Sequence, residues 1–101
     1  MNKKESLKES LKESMDEAEW NWLIPHSKRD VIIVVSESLD LIDVALAISM
    51  DSAKQVESWI QTQLLQKPSE VQIESWNQTP ERKFLTVVVQ PFVLIQEKKL
   101  A

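Results

Sequence analysis

The chain contains no glycine in 101 residues, no cysteine, and one histidine, His26. Glycine is the residue that lets a backbone approach a phosphate closely or turn at positive φ without steric cost. A phosphate-cradling loop and a dinucleotide fingerprint are therefore excluded. Sites built on cysteine, whether zinc or redox, are excluded as well. Every turn and helix end has to be made from residues that carry a Cβ.

Twelve basic residues against sixteen acidic ones give a net charge of −4. That balance argues against nucleic acid as a partner, because such proteins present a basic field. It argues equally against docking on an anionic membrane. Residues 1–19 are polar and charged with no apolar run, so no secretory leader is expected. No stretch reaches the roughly 18 apolar residues needed to cross a bilayer. The lack of cysteine fits a reducing, cytoplasmic setting.

The length suits one domain. Its expected parts are a charged, partly frayed N-terminal helix extension over 1–16, an α+β domain over 17–97 and a tail over 98–101. The N-terminal segment repeats Leu7-Lys8-Glu9-Ser10 as Leu11-Lys12-Glu13-Ser14. Leu7, Leu11, Met15, Ala18 and Trp22 recur at helical spacing and predict one apolar stripe. On that helix Trp20 lies about 200° from Trp22, beside Glu13, Glu17 and Ile24. Trp22 is then core, and Trp20 with Ile24 is left to meet a partner. Pro25 is expected to end the helix.

Val31-Ile32-Ile33-Val34-Val35 does not alternate and reads as a strand covered on both faces. Asp40 is the expected N-cap of a buried helix, with Asp43 at its third position and Leu39 and Val44 as a hydrophobic staple. Asp51 is expected to cap the next helix, whose stripe is Ala53, Val56, Ile60 and Leu64 with Trp59 alongside. Ser69 and Gln72 form a capping box for a short helix carrying Ile73 and Trp76, with Asn77 as the left-handed residue at its end. Residues 84–95 read as one long strand bent at Pro91, because Gln-Pro lacks the residues that two-residue hairpin turns require.

The expected fold is thus α+β: a two-stranded sheet per chain, with a long bent C-terminal strand, packed on one face against about four helices. Two strands make a marginal sheet. A homodimer that joins two such sheets would cover the apolar, uncharged segment Phe92, Val93, Leu94 and Ile95.

Candidate chemistry is sparse. His26, beside Lys28 and Arg29, could serve as a general base or touch a phosphate; a histidine in a basic helix-end turn reads equally as a surface or capping residue. Asp40 and Asp43, three apart, could meet a hard cation, yet capping explains Asp40 fully. Ser36 and Ser38 follow a strand but lack the glycines of a nucleophile elbow. No catalytic residue, metal or cofactor is assigned. The first expectation is a non-enzymatic, self-associating module using Trp20, Ile24 and residues 92–95. The alternative is a small-molecule or metal-ion binding protein or enzyme built on His26 with Asp40 or Asp43.

Four segments taken together carry a family resemblance: Trp20-Asn21-Trp22-Leu23-Ile24-Pro25-His26, Leu39-Asp40-Leu41-Ile42-Asp43-Val44-Ala45, Val56-Glu57-Ser58-Trp59, and Val89-Gln90-Pro91-Phe92-Val93-Leu94-Ile95-Gln96. Over residues 17–97 the chain resembles the domain of unknown function family 2288, small uncharacterised bacterial proteins, many of them cyanobacterial. The resemblance implies a bacterial, cytoplasmic protein and supplies no activity, cofactor or site residue. The Leu-Lys-Glu-Ser repeats fall outside it.

Overall fold

A computed structural model describes residues 3–97; the tail over 98–101 lies outside the described residues. The elements run α1 (Lys3–Ser14), β1 (Asp16–Glu19), α2 (Trp20–Lys28), β2 (Ile32–Val35), α3 (Leu41–Ser49), α4 (Ala53–Gln61), β3 (Leu65–Gln66), α5 (Glu70–Asn77), β4 (Lys83–Val89) and β5 (Phe92–Glu97). The strands form one five-stranded mixed sheet in the order β1-β4-β5-β2-β3. Among the described residues only the β2–β5 pair is parallel.

This corrects the expected two-stranded sheet with about four helices on one face: the described residues form five strands and five helices. Leu94 and Val87 face the layer made by α1, α3 and α4. Val93, Ile95 and Phe84 face α2 and α5 on the other side. The sheet is sandwiched between helical layers, which is why β2 and β5 carry unbroken apolar runs.

Three local departures produce the difference. The stripe from Leu7 does not continue as one helix. It breaks at Met15, and residues 16–19 pair antiparallel with β4, setting Ala18 opposite Phe84. The break reverses the two tryptophans: Trp20 is fully buried, whereas Trp22 is 58% exposed. The first amides of α2 then donate to carbonyls of the segment before β4, Trp20 N–H to Arg82 (2.8 Å) and Asn21 N–H to Pro80 (2.9 Å). Pro25 lies inside α2 rather than ending it. An interior proline costs about 3 kcal/mol, and burial of Trp20 and Leu23 against the sheet offsets it.

The second departure is the C-terminal segment. It is a hairpin, with Val89 opposite Phe92 and Gln90–Pro91 as the loop. The Gln90–Pro91 peptide is cis, the form taken by a turn with proline in its third position. Such a turn needs no residue at positive φ. The third departure is β3, two residues long, whose Leu65 pairs with Val35.

Helix ends account for the missing glycines. Asp30, Asp51 and Gln63 hold φ of 60°, 56° and 63°, each one residue past the C-cap of a helix. Each closes a paired backbone motif: Asp51 N–H donates to Ile48 O and Ser52 N–H to Ala47 O, while Gln63 N–H donates to Ile60 O and Leu64 N–H to Trp59 O. Asp30 and Val31 do the same for α2, donating to Ser27 O and His26 O. This is the arrangement usually completed by glycine. Asp51 therefore ends α3 instead of capping α4, whose N-cap is Ser52. Asn77 is not left-handed either; it is the last residue of α5, and its C-cap Gln78 is right-handed.

Candidate functional site

Asp40 caps α3, its Oδ1 accepting from Ile42 N–H (2.9 Å) and Asp43 N–H (3.2 Å). Asp43 projects from the first turn and lies 3.7 Å from the Lys8 ammonium, both exposed. His26 is half-buried near the end of α2, and its carbonyl is taken up in closing that helix. Because α2 and α3 pack on opposite faces of the sheet, His26 is not brought together with Asp40 or Asp43. Ser36 and Ser38 lie past the far end of β2 from His26, with hydroxyl oxygens 2.9 Å apart. Among the described residues, no group of three or more histidines and carboxylates could hold a metal ion.

The residues expected to meet a partner fall mostly inside the chain. Trp20 sits with its ring 4.9 Å from Trp76 and 6.2 Å from Phe84, and Trp76 lies 4.9 Å from Phe84. Aromatic rings bury about 150–250 Å² each, so this cluster anchors the α2–α5 layer. Ile24 is half-buried beside it. Val93, Leu94 and Ile95 are buried, and β5 is hydrogen-bonded on both sides, to β4 and to β2. Phe92 alone of that segment stays open, at 37% exposure.

Openings cluster around α4. Its stripe packs only partly: Val56 and Trp59 are half-buried, Ile60 is 54% exposed, and no residue of the helix is buried. On one side a groove of about 430 Å³ runs between Trp59, Met50, Leu46 and Lys8. On the other, a cavity of about 320 Å³ opens beneath Val56 and Ile60, floored by Ile33, Leu65 and Phe92. The exposed Lys67–Asp30 ion pair, 2.6 Å, borders this cavity. A third cleft, about 350 Å³, is polar and collects Ser36, Gln63, Gln66, Gln72 and Glu97 at the far end of β2 and β5. The sequence reading placed Ile60 on the apolar stripe of its helix and gave Lys67 no role, whereas Ile60 is 54% exposed. The Val56–Ile60 spacing looks like core, and nothing local tells that the layer beneath it is incomplete.

Together these features define a class: an α+β sandwich, its sheet between two helical layers, with open clefts beside α4 and at the far end of β2 and β5. The chain belongs to the family described as "Protein of unknown function (DUF2288)", whose model matches residues 6–97. The match takes in the Leu-Lys-Glu-Ser repeats, beyond the stretch in which the resemblance was expected. The NMR solution structure of PA1075 from Pseudomonas aeruginosa is similar over 99% of this chain and 93% of that one, with 29% sequence identity and a TM-score of 0.75. No curated protein matches the chain. Among the described residues no helix is long and apolar enough to cross a membrane.

Proposed function

We propose that the chain is a non-enzymatic, cytoplasmic interaction module that self-associates through the outer surface of α3 and α4. The observation that carries this reading is α4 itself. It is amphipathic, yet its apolar side finds no complete cover among the described residues. Met50 is 46% exposed at the end of α3, and half-buried Trp59 borders the adjoining groove. Apolar side chains and aromatic rings concentrated around a groove are what the centre of a protein interface uses. The surface is preferred to residues 92–95 as the contact, because Val93, Leu94 and Ile95 are buried and only Phe92 stays open.

The test is mass in solution at micromolar concentration by light scattering. The natural sequence is expected at twice the chain mass of 11.7 kDa. Met50→Lys is expected to return it to one chain mass with an unchanged far-UV spectrum. A single-chain mass for the natural sequence up to hundreds of micromolar would overturn the reading.

A further inference from the structure

Trp22 is the largest of the exposed apolar side chains, although Trp20 and Leu23 on either side of it in α2 are buried. Among the described residues its ring has no aromatic partner. It borders a notch of about 110 Å³ together with Glu17, Ala18, Glu19 and Lys83. Pockets that enclose whole small molecules begin near about 300 Å³, so this notch is a seat for one side chain. It opens at β1, an edge of the sheet. That edge carries three carboxylates in four residues, and Asp16 Oδ1 already accepts the Glu17 N–H at 2.8 Å. Charged side chains on an edge discourage a further strand, which leaves the side chains to make a contact.

The charges around the notch select the occupant. Residues 13–27 hold Glu13, Asp16, Glu17 and Glu19 and no lysine or arginine, so these four carboxylates match the whole net charge of −4. Glu17 and Glu19 share one face of β1. Lys83, opposite Glu19 in the ladder, pairs with Glu17 at 3.4 Å. Among the described residues Glu19 forms no ion pair. One uncompensated carboxylate therefore remains, three positions before Trp22 at the entry to α2. A carboxylate beside an open indole calls for a planar cation. A guanidinium forks onto the one and stacks on the other, whereas an ammonium is a compact, strongly hydrated point charge. We infer that the notch seats an arginine side chain of a basic partner protein, its guanidinium on the Glu19 carboxylate and against the Trp22 indole. The notch shares no residue with the groove beside α4, so self-association there leaves it open to this partner.

The experiment is an NMR titration of the full chain with the peptide acetyl-Gly-Ser-Arg-Ser-Gly-amide, read at the tryptophan indole N–H resonances. A saturable shift of the Trp22 indole in the millimolar range is expected, with the Trp20, Trp59 and Trp76 indoles unmoved. Citrulline in place of the peptide's arginine keeps the plane, loses the charge and should abolish saturation. Lysine in its place should bind more weakly. Glu19→Gln should weaken the arginine peptide about threefold. Trp22→Ala, followed at the Ala18 and Lys83 amides, should weaken it about three- to fivefold. The Trp20 indole N–H, bonded to Asn77, reports that both variants remain folded. Equal binding of the citrulline or lysine peptide, indifference to Glu19→Gln, or the absence of a saturable shift would overturn the inference. So would a Trp22 shift that follows protein concentration without peptide, because the ring would then be covered by a second copy of the chain.

Discussion

The indole Nε1–H of Trp20 donates to Oδ1 of Asn77 across 2.8 Å, joining the first residue of α2 to the last residue of α5. The two helices are 57 positions apart in sequence at this bond. It satisfies the only polar atom of a tryptophan side chain that is otherwise enclosed by Trp76 and Phe84.

Asn77→Ala should therefore strand a buried donor. The expected loss is about 1–2 kcal/mol, reduced by a few tenths because alanine is the better helix former. For a domain of this size that lowers Tm by about 4–12 °C. A thermal melt followed by near-UV circular dichroism measures it, and an unchanged Tm would show that the bond contributes nothing.

Gln63 should be improvable. A left-handed conformation costs a residue with a Cβ about 1–2 kcal/mol, while glycine loses part of that advantage through its freer unfolded chain. Gln63→Gly is expected to raise stability by about 1 kcal/mol, or Tm by about 4–8 °C. Thr62→Gly, one residue earlier at φ −89°, should lower it. Chemical denaturation of both variants tests the pair, and equal effects would sink the argument.

Gln96 holds the loop between β2 and α3. Its Nε2 donates to Ser36 O (2.9 Å) and Leu39 O (2.7 Å) from the centre of the sheet. Gln96→Leu keeps the volume but removes both donors, and about 1–3 kcal/mol should be lost. Hydrogen exchange at the Leu39 amide, which donates to Ser36 O, should accelerate more than exchange in α5.

Asp40→Ala should cost about 1–2 kcal/mol through loss of the α3 cap. Asp40→Ser should recover most of it. If the serine variant were as unstable as the alanine variant, capping would not be the role of Asp40.

How far the sequence reveals this molecule depends on the range of the interaction involved. The Asp40 cap, the Ser69–Gln72 box and the β-branched run of β2 are written within a few residues, and the structure contains all three. The break at Met15 is not written there. Leu7, Leu11, Met15, Ala18 and Trp22 keep helical spacing across it, and what wins is pairing with β4, where Thr86 Oγ1 donates to Asp16 O from 70 positions away. The hairpin was hidden because its loop uses a cis Gln90–Pro91 peptide instead of the asparagine or glycine signal. For the same reason of range, His26 with Asp40 and Asp43 looked like a possible cluster. Sequence proximity does not tell on which side of a sheet two successive helices will lie.

The position of β5 has a consequence for how the domain comes apart. In the order β1-β4-β5-β2-β3, β5 alone bridges the β1–β4 pair and the β2–β3 pair. Without it two separate ribbons remain, each too small to persist in water. Fragments that stop at Gln90 should hold no partial fold, and the strand interiors should melt in a single cooperative step.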